Sequence, residues 1–129
     1  LEHAIEIDSA GTAGYHAGDA PDRRAQAAAR LRGIAVDGHA RQFGGKDWQR
    51  FDYILAMDES NYEDLVARAP SKQLASKVRL FRSFDAAAPK GASVPDPYYG
   101  GPQGFDDVLD MCDAAARGLI EHIRREQGI

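Results

Sequence analysis

The sequence lacks several features that whole classes of protein require. Its one cysteine, Cys112, excludes an internal disulfide framework, and the four scattered histidines offer no zinc-ligand spacing with that thiol. No apolar run reaches the roughly eighteen residues of a membrane span, and residues 1–11 have neither the basic start nor the apolar middle of a signal peptide. Lysines and arginines are scattered in a chain of net charge −4, so nucleic acid is not a predicted partner. The sequence predicts a cytoplasmic protein that needs no metal or other cofactor.

Short apolar stretches alternate with helical patterns along 129 residues, the size of one compact domain. Helices are predicted after Pro21, after Asp58 as a helix cap, and from Phe105, where apolar residues recur at three- and four-residue steps. Residues 83–104 are predicted to form a long loop. Four segments are predicted strands: residues 4–7 (AIEI), 33–36 (GIAV), 53–57 (YILAM) and 77–81 (KVRLF). The alternation predicts an α/β domain with a mainly parallel sheet, whose ligands bind beyond the carboxyl ends of the strands.

Six segments carry informative residues in a fixed order. They are DSAGTAGYHAG (8–18), PDRRA (21–25), HARQ (39–42), FDYILAMDESNYEDL (51–65), VPDPYYGG (94–101), and the spaced F, V and MC that end at residue 112. Taken together they resemble the low-molecular-weight protein tyrosine phosphatases. The resemblance implies a doubly wound, three-layer α/β fold, in which a four-stranded parallel sheet is flanked by helices on both sides.

The resemblance also implies a chemistry in two halves. A cysteine in a Cys-x5-Arg loop attacks the phosphorus, and an aspartate protonates the departing phenolate. Asp96, between Pro95 and Pro97, matches that aspartate. A tyrosine leaving group has a pKa near about 10, so its expulsion at neutral pH needs a proton donor, and the two prolines restrict the backbone that holds it. The predicted function is hydrolysis of phosphotyrosine or another aryl phosphate through a phosphocysteine, with Asp96 as general acid and base.

Three tyrosines match the family's substrate slot. Tyr98 and Tyr99 match the aromatic pair that lines the mouth of the cleft and contacts the ring of the substrate, and Tyr15 matches an aromatic residue on the opposite wall. A phosphotyrosine fits such a slot, whereas phosphoserine lacks the ring. The resemblance therefore implies phosphotyrosine proteins or small aryl phosphates as substrates.

Three more residues match supports of the phosphate loop. Ser9 matches a serine that hydrogen-bonds that loop, and Asp58 matches an aspartate that lies near it and pairs with its arginine. The supporting histidine of the family aligns with Gly38, and His39 is the adjacent candidate.

The Cys-x5-Arg loop is not found in these residues. Six positions beyond Cys112 stands Gly118, and the stretch between them has a helical pattern, so Cys112 is predicted to be a core residue with a raised pKa. The resemblance places the loop after a first strand inside the sheet, ahead of the residues seen here. Without that strand, residues 4–7 and 53–57 face a gap, and each orphaned buried group costs roughly 1–3 kcal/mol. We expect a single domain, residues 1–129, that is N-terminally incomplete, inactive alone, and completed by a missing segment.

Three alternatives follow from the same residues. A catalytically inactive relative that binds a partner is favoured by the missing nucleophile, but it has no use for an intact acid loop. An arsenate reductase-type relative needs further cysteines, and Cys112 is alone. Protein-arginine phosphatases are related, but their acid loop tends to lack the double tyrosine.

Overall fold

A computed structural model describes residues 4–12, 18, 23–34, 40–95 and 101–129, with the backbone alone at residues 101 and 102. The elements in chain order are α1 (Arg23–Leu31), α2 (Asp47–Arg50), β1 (Ile54–Ala56), α3 (Glu59–Arg68), α4 (Lys72–Ala75), β2 (Val78–Leu80), a 3-10 helix (Phe81–Phe84) and α5 (Gly101–Gln127). Strands and helices alternate, so the predicted α/β class is confirmed. Within the described ranges, no helix has both the length and the apolar character that crossing a bilayer requires.

The sheet is parallel and short. Strands β1 and β2 pair with Ile54 opposite Val78 and Ala56 opposite Leu80. Two of the four predicted strands are therefore confirmed, and a parallel bridge joins Gly11 to Gln42. Residues 4–7 form no strand, because no neighbouring strand in the described chain supplies the ladder that an extended segment needs.

The predicted strand at residues 33–36 is not present where the structure describes it. Gly33 instead ends α1, since its φ of +75° is in the left-handed region that terminates helices, and its N–H donates to the carbonyl of Arg30. Residues 35 and 36 lie outside the described chain. The first helix, predicted after Pro21, is described from Arg23.

Two apolar clusters cover opposite faces of the sheet. Trp48, Ile54, Ala56, Leu65 and Val78 form one of them, beneath α2 and α3. The other contains Phe81, Val94 and Ala115, with Leu55 and Cys112 packed against it. Because successive side chains of a strand point to opposite faces, the position of Leu55 between Ile54 and Ala56 assigns the two clusters to different layers. The predicted three-layer arrangement follows from this alternation.

Helix α5 begins earlier than predicted and crosses the 3-10 helix closely. It starts at Gly101 and not at Phe105, and the 3-10 helix occupies part of the predicted loop. Phe105 and Ile123 of its apolar stripe are buried, whereas Ile120 is 41% exposed. At the crossing, a Cβ atom on Gly118 would lie 1.8 Å from the carbonyl oxygen of Phe84. Gly118 therefore allows two backbones to approach.

Candidate active site

The carboxyl end of β1 leads directly into the first turn of α3. Asp58 follows Met57 at this edge, and its Oδ1 accepts a hydrogen bond of 2.7 Å from the N–H of Asn61. The predicted helix cap is thus confirmed, and it satisfies one of the amides that have no partner within the helix. Asp58 is half-buried at the edge where an α/β sheet binds ligands. Its pairing with a phosphate-loop arginine remains a prediction.

A second segment, residues 91–95, contacts the same edge. The N–H of Val94 donates to the carbonyl of Met57 at 2.6 Å. Ser93 makes two contacts: its Oγ accepts from the N–H of Glu59 at 3.2 Å, and its carbonyl accepts from Nη1 of Arg82 at 3.0 Å. We call these three hydrogen bonds the Ser93 anchor. The anchor ends at the residue before Pro95, immediately ahead of the predicted acid.

Most of the residues predicted for catalysis and binding lie outside the described chain. These are Asp96, Tyr98, Tyr99, Tyr15 and His39. Their predicted roles therefore remain predictions, and the described part of the site consists of the segments that flank them.

Ser9 is described and is exposed. Its backbone N–H donates to Oδ1 of Asp8 at 2.8 Å. Its segment is held two residues further on, where the N–H of Gly11 donates to the carbonyl of Arg41 at 2.9 Å and the N–H of Phe43 donates to the carbonyl of Gly11 at 2.8 Å. In the described part of the chain, no hydrogen bond or ion pair joins Ser9 to Asp58. The support that each residue would give the phosphate loop remains a prediction.

An ion pair in which the carboxylate is buried lies beside the Ser9 segment and was not predicted. Arg41 donates to both oxygens of Asp47, through Nη1 at 2.9 Å and Nη2 at 3.1 Å, and lies 3.3 Å from Oδ2 of Asp8. The N–H of Gly44 adds a hydrogen bond of 2.8 Å to Asp47, which is only 6% exposed. The hydrogen bonds from Arg41, followed by that of Gly44, hold the pKa of Asp47 below its ordinary value. The pair connects the residues around Ser9 to α2.

No local signal identifies this pair in the sequence. Arg41 is part of the HARQ segment, but it follows no helical or strand period. Asp47 is six residues away, across a turn that contains Gly44. An arginine and an acid on either side of a short glycine-containing turn are common on protein surfaces, so only the fold shows that this acid is buried.

Cys112 has the environment predicted for a core residue. It packs against the cluster that contains Phe81 and Ala115, and burial raises the pKa of its thiol. A raised pKa disfavours the thiolate, which is the reactive form of cysteine. Cys112 is therefore a poor nucleophile.

Comparison with known proteins identifies the protein family to which this fold belongs. The family model described as "Low molecular weight phosphotyrosine protein phosphatase" matches residues 1–128. A low-molecular-weight protein-tyrosine-phosphatase of Streptomyces coelicolor is 42% identical over 127 residues, which cover 98% of this chain and 77% of the relative. The human low-molecular-weight phosphotyrosine protein phosphatase is 39% identical over 116 residues, 89% of this chain and 72% of the relative.

A solved structure agrees with these matches. The protein tyrosine phosphatase of Entamoeba histolytica, crystallised with Hepes in its active site, superimposes with a TM-score of 0.88 at 39% identity, over 98% of this chain and 78% of that one. These matches define the class as a phosphotyrosine phosphatase fold. This chain belongs to the low-molecular-weight phosphotyrosine protein phosphatase family.

Proposed function

We propose that the protein hydrolyses phosphotyrosine or other aryl phosphate monoesters through a phosphocysteine, with Asp96 as the acid and then the base. Family membership supports the phosphatase activity. The observation that carries the role of Asp96 is the bond between the Val94 N–H and the Met57 carbonyl, 2.6 Å long, at the carboxyl end of β1. Asp96 follows Val94 by two residues, and two residues of extended chain span at most about 7 Å. An acid tethered this closely to the ligand-binding edge suits proton donation there.

The proposed reaction has two displacements. A thiolate attacks the phosphorus, the S–P bond forms, and the P–O bond to the phenol breaks as Asp96 transfers its proton to the leaving oxygen. A water molecule then attacks the phosphocysteine and gives a proton to Asp96, the S–P bond breaks, and inorganic phosphate leaves. Proton transfer by a positioned side chain is typically worth about a hundred- to ten-thousand-fold in rate.

The remaining predicted residues have supporting roles in this proposal. Tyr98, Tyr99 and Tyr15 would contact the ring of the substrate, which favours phosphotyrosine over phosphoserine. Ser9, His39 and Asp58 would support the phosphate loop. The second oxygen of Asp58 is available for this, because the helix cap uses Oδ1.

The nucleophile in this proposal comes from a Cys-x5-Arg segment that is not among the 129 residues. Two observations support a segment that also completes the sheet. β1 pairs with β2 along one side only within the described chain, and Ile7 is 87% exposed although it belongs to an apolar stretch. A strand added between these two segments would pair with free backbone groups and cover apolar surface. The 129 residues and that segment would then form a single domain.

The test compares two forms of the protein. One is the 129-residue chain, and the other, which we call the extended form, carries a Cys-x5-Arg segment ahead of it. We expect the extended form to hydrolyse phenyl phosphate and the 129-residue chain to show no turnover. In the extended form, Asp96→Asn should lower kcat/KM by about a hundredfold or more. Unchanged turnover in Asp96→Asn would remove that residue from its role.

A second candidate is a member of the same family that binds phosphotyrosine without catalytic activity. Such a protein would bind a phosphotyrosine peptide with no turnover in either form. Isothermal titration with a phosphotyrosine peptide, run beside the phenyl phosphate assay, separates the two candidates.

A further inference from the structure

We propose that Arg82 and Ser93 are positioning residues for proton donation, because they fix the start of the segment that carries the acid. The inference rests on the proposed role of Asp96. Neither residue belongs to the segments that indicated the family, and neither needs to touch the substrate. They act through the Ser93 anchor.

The anchor joins the segment to three separate elements. Arg82 extends from the 3-10 helix to the carbonyl of Ser93, the hydroxyl of Ser93 accepts from the first residue of α3, and Val94 bonds to the end of β1. Val94 itself is buried, with 8% of its surface exposed, in the cluster that contains Phe81 and Ala115. A segment held from three directions has little freedom at its base.

Ser93 acts as a helix cap for α3, although the residue that caps a helix usually comes directly before it in the chain. The first amides of α3 have no helical partner, and Asp58 satisfies only that of Asn61. The amide of Glu59 is satisfied instead by Ser93, which is 34 residues away in the chain. The start of α3 is therefore bonded directly to Ser93, three residues ahead of the proposed acid.

Packing alone does not explain an arginine at position 82. Its Nε atom is buried and has no hydrogen-bond partner, and no ion pair to Arg82 is seen within the described ranges. Leaving a buried polar group unsatisfied destabilises a folded protein, and an apolar side chain of similar length would avoid that cost. Among the described residues, the guanidinium donates a hydrogen bond to the Ser93 carbonyl. This contact is a specific reason for an arginine at this position.

The consequence is restricted to the step that needs the acid. A proton donor must come within about 2.6–3.2 Å of the oxygen it protonates, and a misplacement of about 1 Å can cost a hundredfold. Phenolate is a poor leaving group that needs this proton, whereas a dinitrophenolate leaves readily without it. Loosening the anchor should therefore slow phenyl phosphate much more than dinitrophenyl phosphate.

The experiment measures kcat/KM of the extended form with both substrates, since kcat/KM reports the steps up to departure of the phenol. We expect Arg82→Met and Ser93→Ala to lose about tenfold with phenyl phosphate and less than about threefold with dinitrophenyl phosphate. Arg79→Met is the matched control: Arg79 lies three residues away and contacts His122 and Phe84, with no bond to residues 91–95. Arg79→Met should change kcat/KM by the same factor with both substrates. Arg82→Lys, which keeps a donor, should recover part of the loss.

Each result has a separate meaning. An equal loss with both substrates in Arg82→Met and Ser93→Ala would show a general structural role and overturn the inference. If Asp96→Asn itself shows no dependence on the leaving group, the proposed function fails and the inference falls with it. If Asp96→Asn shows that dependence and both anchor variants do not, only the inference fails. Circular dichroism identifies a variant that does not fold, and Ser93→Ala, the smaller change, then decides the outcome.

Discussion

The region before residue 35 and the region after residue 46 are stabilised by different forces. Among the described residues, the buried apolar side chains lie in the later region, with Ala29 as the exception. In the earlier region Ile7 and Leu31 are 87% and 89% exposed. Polar contacts join it to the later region: Arg32 bonds to Asp110 at 2.7 Å and to the carbonyl of Asp106 at 3.0 Å.

This difference teaches which perturbation each region should respond to. Burial of apolar surface stabilises by about 25 cal/mol per Å² and does not depend on ion pairing, so the later region should respond to changes in volume. Exposed ion pairs contribute little and are screened by salt, so attachment of the earlier region should respond to charge and ionic strength. The predictions below test this division, beginning with the largest expected effect.

The strongest test of the later region is Gly118→Ala. Replacing a helical glycine by alanine ordinarily stabilises by up to about 1 kcal/mol. Here the added Cβ would lie 1.8 Å from a backbone oxygen of Phe84, so α5 and the 3-10 helix must separate. We expect a loss of at least about 3 kcal/mol in the free energy of unfolding, measured by urea denaturation of the extended form.

Gly45→Ala is the control, because a Cβ atom there meets nothing within 4 Å. It should change the free energy of unfolding by less than about 0.5 kcal/mol. A stabilising effect of Gly118→Ala would mean that the two backbones are further apart than described.

Arg41 lies between the two regions and contacts both, through Asp47 in the later one and Asp8 in the earlier one, and breaking its pair with Asp47 is the next largest effect. Arg41→Met leaves the buried carboxylate of Asp47 with the Gly44 amide but without its counter-charge. We expect a loss of about 1–3 kcal/mol in the free energy of unfolding. Asp64→Asn removes an exposed pair with Arg68 and serves as the control. A loss no larger than that of the control would contradict the assigned burial.

The same carboxylate gives a pH dependence of known sign. Because the pKa of Asp47 is lowered in the folded protein, the unfolded chain binds the proton first as pH falls. Its contribution is therefore complete above the ordinary aspartate pKa of about 3.9 and is lost as pH falls through the folded value. The difference in urea midpoint between the parent and Asp47→Asn should be constant near neutral pH and shrink below about pH 4. A difference that grows on acidification would reverse the assigned direction.

The sequence was most informative where a local signal decides the structure. Asp58 is a helix cap because a short acceptor precedes a run of helix-forming residues, and the stripe of α5 is set by its own period. The apolar run around Leu55 indicated a strand covered on both faces, which the two clusters confirm. Each of these features depends on neighbours a few residues away in the chain.

The sequence did not correctly predict features that depend on residues far away in the chain. Residues 4–7 have a strand-like pattern, but a strand needs a partner and the described chain supplies none. The Ser93 anchor joins Ser93 to residues 34 and 11 positions away and Val94 to Met57, and nothing in the sequence around Ser93 indicates it. The same holds for the burial of Asp47. The short helices α2 and α4, of four residues each, are below the length at which a period is visible.

The smallest expected effect tests how α1 is attached to α5. Raising NaCl to about 1 M shortens the screening length to about 3 Å, which should weaken the pairs of Arg32 with Asp106 and Asp110. Amide hydrogen exchange in α1 should then accelerate by about two- to fivefold, while exchange in β1 and α3 stays constant. Arg32→Met should show the faster exchange already at low salt and respond no further, whereas Arg117→Met, which removes an exposed pair within α5, should behave like the parent. If salt leaves α1 unchanged, its apolar contacts with α5 carry the attachment, and the polar character assigned to the earlier region is wrong.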